Sequence, residues 1–121
     1  MESICAIKDI YKALYQFEKN FLNHHGLTIN EAMLLCFLSD GECKTASSIG
    51  EHLGLSNPRV SKIINNVETK GLISRAICNK DRRQMLFNLT PEGEASLKVI
   101  HNSEIDTESL YGALEKCIKR S

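Results

Sequence analysis

The sequence lacks the features that mark several large classes of protein. It has no run of about 18 apolar residues, so it does not predict a membrane-spanning helix. The N-terminal segment MESICAIKDIYK alternates apolar and charged residues, which does not suit a secretory signal, and we expect a cytoplasmic protein. It contains no Gly-rich phosphate loop, HExxH, GxSxG or Cys–His catalytic pairing. We therefore expect neither an enzyme nor a bound cofactor.

Cysteine and histidine are present without the spacing that metal sites or disulfide frameworks use. The five cysteines are an odd number with no CxxC motif, which predicts free thiols in a reducing compartment. Cys36 lies in a strongly apolar segment and is predicted to be buried. No pair of histidines is spaced i,i+4, so we expect no metal site. The residues considered are Cys5, Cys36, Cys43, Cys78, Cys117, His24, His25, His52 and His101.

The chain has no net charge, but its basic and acidic residues are unevenly distributed along the sequence. The chain has 15 basic and 15 acidic residues, and its 121 residues predict one domain spanning residues 1–121. Residues 57–83 nevertheless contain seven basic and two acidic residues, an excess of five positive charges. Local charge density governs attraction to phosphate, so this segment is a candidate for contact with nucleic acid. A solvated basic stretch is the alternative interpretation.

Capping and stop signals divide the first half of the chain into helices. An apolar stripe at helical spacing runs from Ile7 to Phe21, and Thr28 with Glu31 forms a capping box for a second helix. Thr45 is a good N-cap for a third helix, which Gly54 ends. Pro58 then favours the start of a fourth. Two helices joined by a short Gly-containing turn predict a helix-turn-helix.

The fourth helix has two contrasting faces. Its apolar residues fall at i, i+3, i+4 and i+7 and predict the buried side: Val60, Ile63, Ile64 and Val67. The opposite side and its flanks carry hydrogen-bonding groups and no carboxylate: Asn57, Arg59, Ser61, Lys62, Asn65, Asn66 and Thr69. Such groups pair with base edges and phosphates, which predicts contact with double-stranded DNA. A plain solvent-exposed face remains the alternative.

A basic hairpin is predicted after this helix. Residues 72–77 and 84–89 read as strands, and the second alternates apolar and polar residues. The basic residues of the hairpin are predicted DNA contacts: Arg75, Lys80, Arg82 and Arg83. Asp81 is predicted to stabilise the tip by accepting hydrogen bonds from Arg83 or Arg75. An ordinary charged turn is the other interpretation.

Three consecutive segments resemble the signatures of MarR-type winged-helix transcription regulators. They are Gly71-Leu72-Ile73-Ser74-Arg75, Asp81-Arg82-Arg83 and Leu89-Thr90-Pro91-Glu92-Gly93. The resemblance implies a mainly α fold with a small β-wing (α+β), in which residues 28–93 form the winged helix-turn-helix core. It also implies a homodimer built by helices in residues 1–24 and 94–121. Arg83, with Arg82 as a competitor, is implied to enter the minor groove.

The terminal segments also carry apolar stripes that a small domain leaves uncovered, and a partner subunit would cover them. The resemblance implies a small-molecule effector site between these helices and the winged domain, for which Tyr11 and Tyr15 are candidates, although they are also typical core aromatics. A redox- or peroxide-sensing cysteine is an alternative, with Cys5 as the positional candidate.

The function predicted from these observations is a homodimeric regulator, more readily a repressor than an activator, that binds a pseudo-palindromic operator. The competing prediction is a winged-helix module for protein–protein contact without DNA binding. An outer helix face without acidic residues disfavours that second reading.

Overall fold

Helices account for most of the chain, and a small antiparallel sheet completes it. The computed structural model describes residues 2–77, 85–103 and 107–120. In that part of the chain the elements are α1 Glu2–His25, α2 Ile29–Phe37, a 3₁₀ turn Leu38–Asp40, β1 Lys44–Thr45, α3 Ala46–Leu53, α4 Asn57–Thr69, β2 Ile73–Ile77, β3 Met85–Leu89, α5 Pro91–Asn102 and α6 Glu108–Arg120. The predicted class, mainly α with a β-wing, is confirmed.

Residues 29–103 form one unit around a shared apolar core. Leu34 and Leu35 of α2 and Ile49 of α3 have no exposed surface. The predicted apolar face of α4 is confirmed at Val60, Ile64 and Val67, which are 2%, 3% and 0% exposed, whereas Ile63 is half-buried. Burying these side chains supplies most of the favourable free energy that holds the three helices together.

Local signals set the helix boundaries much as the sequence predicted. The Thr45 hydroxyl accepts a hydrogen bond from the Ser48 N–H at 3.1 Å, which caps α3. Gly54 ends α3 with a left-handed φ of 67°, a conformation that costs glycine nothing. Helix α4 begins at Asn57, with Ser56 as its N-cap and Pro58 in its first turn.

The sheet has three strands in the order β1-β3-β2, and both pairs are antiparallel. In its register Ile73 lies opposite Leu89, and Lys44 of β1 lies opposite Phe87. The sequence predicted only β2 and β3. Strand β1 is two residues long, too short to show alternation, and it exists because β3 offers it a paired edge.

The second unit comprises residues 1–28 and 104–121, in which α1 packs along α6. Phe21 is 7% exposed, and its ring centroid lies 6.3 Å from that of Phe17 and 4.7 Å from that of His25. Burial, with a smaller contribution from the neighbouring His24, lowers the pKa of His25.

One prediction about the core is wrong. Cys36 is exposed, whereas the apolar composition of α2 predicted a buried thiol. Met33, one turn earlier, is 49% exposed, so this side of the helix is apolar without being covered. Composition alone does not reveal that α2 buries Leu34 and Leu35 but not the residues beside them.

Candidate nucleic-acid interface

The outer face of α4 presents hydrogen-bonding side chains to solvent. All six predicted contact residues of this helix are exposed: Asn57, Arg59, Ser61, Lys62, Asn65 and Asn66. Their orientation follows from the opposite face, where Val60, Ile64 and Val67 are buried and fix the rotation of the helix about its axis. Their role as DNA contacts remains a prediction.

The turn between α3 and α4 is held by a close helix–helix approach. The Leu55 N–H donates to the Gly50 carbonyl at 3.1 Å, which closes the turn after α3. A Cβ on Gly50 would stand 3.2 Å from Cγ2 of Val60, so glycine lets the two helices approach. This contact holds α4 with its polar side outward.

A carboxylate does lie at the end of the outer face, contrary to the prediction from the sequence. Glu68 comes seven residues after Ser61, so the two share one side of the helix. Arg75 of β2 donates to both carboxylate oxygens of Glu68, from Nε and Nη2, each at 2.6 Å. These hydrogen bonds lower the pKa of Glu68 and raise the pKa of Arg75. The i,i+7 spacing of Ser61 and Glu68 was the signal available.

A second basic residue of the positively charged segment is also paired within the protein. Lys70, just after α4, places Nζ 3.1 Å from Oε1 of Glu31, a carboxylate that is only 2% exposed. A buried carboxylate without a cation would be costly, so Lys70 stabilises the first turn of α2. Of the basic residues of this segment that the structure describes (Arg59, Lys62, Lys70 and Arg75), Lys70 and Arg75 therefore have acidic partners.

Thr90 joins the base of the wing, which is the β2–β3 hairpin, to the start of α5. Its hydroxyl donates to the Gly71 carbonyl at 2.7 Å and accepts from the Gly93 N–H at 3.0 Å. Its own N–H donates to the Leu72 carbonyl at 3.0 Å. A side chain on Gly93 would overlap that carbonyl oxygen. Two of the segments singled out in the sequence therefore meet in the fold.

The tip of the wing lies outside the described residues. The predictions for Lys80, Asp81, Arg82 and Arg83 fall there and stay predictions. In residues 2–77, 85–103 and 107–120, no three His, Cys, Asp or Glu side chains converge as a metal site would require. No helix of this part of the chain has the length and apolar character needed to cross a bilayer.

The other predicted site residues lie in α1. Cys5 is exposed, and Tyr11 and Tyr15 are 70% and 63% exposed. Lys19 Nζ lies 5.6 Å from the centroid of the Tyr15 ring. Their predicted roles in redox chemistry and effector binding remain predictions.

In the winged unit, Cys36 Sγ lies 3.5 Å from Nε2 of His101.

A helix-turn-helix followed by a β-hairpin and a closing helix defines a winged helix-turn-helix protein. The MarR family model matches residues 27–85, which run from just before α2 to the first residue of β3. This match confirms the predicted resemblance of the winged core to MarR-type regulators. Members of this family regulate transcription and are not enzymes, as predicted for this chain.

The chain is similar to the organic hydroperoxide resistance transcriptional regulator of Bacillus subtilis (strain 168). The two are 29% identical over 75 residues, which cover 62% of this chain and 51% of the relative. It is also similar to a putative transcriptional regulatory protein for the hcr operon of Thauera aromatica, at 24% identity over 84% of this chain and 61% of the relative. The chain thus spans about half to three fifths of these relatives' length.

Solved structures share the fold. The S. aureus MepR–DNA complex has a TM-score of 0.65 and 23% identity, covering 94% of this chain and 96% of the other. A MarR family transcription regulator gives a TM-score of 0.73 at 26% identity, covering 91% of this chain and 73% of the other. The likeness confirms the predicted winged-helix architecture.

Proposed function

We propose that this chain is a sequence-specific, double-stranded-DNA-binding regulator of transcription that acts as a repressor. The observation that carries the proposal is the exposed face of α4, where Ser61, Lys62 and Asn65 lie on a helix fixed by its buried side. Asn pairs with adenine and Lys with guanine or phosphate, so the face has the chemistry to read a major groove. The structural neighbour MepR, which shares the fold, has been solved in complex with DNA, and this supports DNA binding in the proposal.

The protein acts as a homodimer in this proposal. Helices α1 and α6 expose large apolar side chains that water solvates poorly: Ile4, Ile7, Tyr11, Leu14, Tyr15, Leu22, Tyr111, Leu114 and Ile118. A second copy of the chain would cover this surface by a two-fold contact. In this proposal α4 is the recognition helix, and such a dimer places its two copies about 34 Å apart, on a pseudo-palindromic operator.

Release of DNA by a small molecule is the regulatory part of the proposal, with Tyr11 and Tyr15 as the side chains that would contact an effector. Thiol sensing is the second candidate. The name of the Bacillus subtilis relative, a hydroperoxide resistance regulator, and the exposure of Cys5 support it.

Selection of bound fragments from the host's genomic DNA tests the proposal directly. We expect recovered fragments to share a pseudo-palindromic sequence and to bind the purified protein with an affinity that falls steeply with salt concentration. Recovery of no common sequence, with no salt-dependent binding, would favour a protein–protein module. Candidate effectors and organic hydroperoxides are then tested for release of the selected duplex, with a Cys5→Ser variant to separate the two mechanisms.

A further inference from the structure

The last turn of α4 is tied to the wing by one bidentate ion pair. Glu68 and Arg75 form two parallel N–H···O bonds of 2.6 Å, and the side chains are 29% and 42% exposed. Two bonds from one planar guanidinium fix its orientation as well as its distance from the carboxylate. A single-point contact would fix the distance between the two side chains but not the orientation of the guanidinium.

Arg75 is also held from the sheet side. Its guanidinium carbon lies 5.5 Å from the ring centroid of Phe87, the residue that faces it across the β2–β3 register. Phe87 is 4% exposed and belongs to the core of the winged unit. Arg75 is therefore fixed between a buried aromatic ring and a helix carboxylate, and both of its neighbours restrict its rotamer.

Charge gives the pair a second effect. Glu68 shares the side of α4 that carries Ser61, and an uncompensated carboxylate there would repel the phosphates of a bound duplex. Arg75 supplies the compensating charge. The same hydrogen bonds lower the pKa of Glu68, so the carboxylate is ionised and the pair is complete at neutral pH.

We propose that Glu68 and Arg75 are positioning residues for DNA binding: together they set the angle between the recognition helix and the wing, and Arg75 acts through Glu68 rather than by contacting phosphate. This inference rests on the proposed function. It gives Arg75 a role different from the direct DNA contact that its position in the basic segment predicted.

The two roles make opposite predictions for the Glu68→Gln variant. If Arg75 binds phosphate, removal of the carboxylate frees it and removes a repulsive charge, so DNA affinity rises. If the pair positions the wing, affinity falls although the protein has become more positive. We expect a fall of about tenfold, a size typical of coupled neighbouring residues. Glu51→Gln, the same change at an exposed residue of α3, is the matched control and should leave affinity unchanged or slightly higher.

The test is a fluorescence-anisotropy titration of a labelled duplex recovered in the selection, repeated at several salt concentrations. We expect Arg75→Ala and Glu68→Gln to weaken binding equally, and the double variant to be no weaker than either. The slope of log affinity against log salt should match that of the wild-type protein. A slope reduced by about one in Arg75→Ala would identify a phosphate contact and overturn the proposal.

A variant in which the charges of Glu68 and Arg75 are exchanged distinguishes loss of the positioning role from poor folding. Arg75→Glu alone should lose affinity, and Glu68→Arg combined with Arg75→Glu should regain most of it because the pair re-forms. Failure to regain affinity, with circular dichroism showing intact folding, contradicts the positioning role. If the wild-type protein binds the selected duplex but Glu68→Gln binds equally well, this inference alone fails. If the wild-type protein binds no duplex, the proposed function fails and the positioning role fails with it.

Discussion

At the scale of single residues, Gly93 shows how closely α5 approaches the wing. Its Cα faces the Leu72 carbonyl oxygen and the Leu89 side chain with no room for a methyl group. Gly112 in α6 is the opposite case, because nothing lies within 4 Å of the Cβ it lacks. The same substitution therefore has opposite consequences at the two positions.

We expect Gly93→Ala to lower the free energy of unfolding by roughly 1–3 kcal/mol, the usual cost of overpacking. Gly112→Ala should raise helix stability by about 0.5–1 kcal/mol, because alanine is the better helix former. Urea denaturation of both variants measures the difference. Equal effects on stability would show that the close contact at Gly93 is absent in solution.

The recognition face allows a second prediction at this scale. Lys62→Ala should weaken binding to the selected duplex by roughly 1–3 kcal/mol, because Lys62 is exposed on the face that would meet DNA. Lys98→Ala, the same change on the exposed surface of α5, is the control and should have little effect. Equal losses of affinity for the two variants would show that Lys62 acts only through general charge attraction, which would contradict the proposed interface.

The same prediction extends to the wing arginines Arg82 and Arg83, whose replacement by alanine should also cost roughly 1–3 kcal/mol of binding. A titration at fixed salt in which neither variant differs from the wild-type protein would contradict the assignment of a DNA-contacting wing.

At the scale of the elements, the loop before β1 is organised by one carboxylate. Asp40 accepts from the Glu42 N–H at 2.9 Å and from Lys44 Nζ at 2.8 Å. Lys44 Nζ also lies 5.1 Å from the centroid of the Phe37 ring. These contacts bring a two-residue strand to the edge of β3.

Acid should loosen this loop. The hydrogen bond from Lys44 lowers the pKa of Asp40 below its ordinary value of 3.8, so the unfolded chain binds a proton there more readily than the folded chain. The stabilising contribution is therefore present above the ordinary pKa and is lost as the pH falls through the lowered value. Asp40→Asn should be less stable than the wild-type protein near neutral pH. Its stability should also change less with pH below about 4, in urea denaturation followed across that range.

The elements differ in how far the sequence could predict them. Helices α3 and α4 were predictable because Thr45, Gly54 and Pro58 are local signals that act within one turn. Strand β1 was not, because its partner Phe87 is remote in sequence and its own two residues carry no pattern. The Glu68 and Arg75 pair was also missed, since its geometry depends on how β2 leaves the turn after α4.

At the scale of the whole molecule, the terminal helices α1 and α6 leave a large apolar surface exposed to water. Tyr11 and Tyr15 are mostly exposed on α1, and Tyr111 and Ile118 are 61% and 71% exposed on α6. The sequence predicted this stripe from its spacing. Which molecule covers the stripe could not be predicted from one sequence, because association also depends on the surface of the partner.

We expect Tyr15→Glu to weaken the proposed dimer by roughly 1.5–3 kcal/mol, because a charge would replace an aromatic side chain buried on association. Gln16→Glu introduces the same charge at the next exposed position and should have little effect. Light scattering across a concentration series measures both. A wild-type protein that stays monomeric at micromolar concentration would contradict the dimer itself.

The hydrogen bonds through which Thr90 joins the base of the wing to the start of α5 form a junction that affects the exchange of amide protons. The N–H groups of Thr90 and Gly93 both donate into this junction, to the Leu72 carbonyl and the Thr90 hydroxyl. Opening the Thr90 N–H bond moves the start of α5 away from the base of the wing, and the Gly93 bond depends on a Thr90 hydroxyl that is itself bonded to the Gly71 carbonyl. The two amides should therefore exchange with deuterium at similar protection, as reporters of one cooperative opening. A bound duplex or effector that restrains either element should slow the exchange of both.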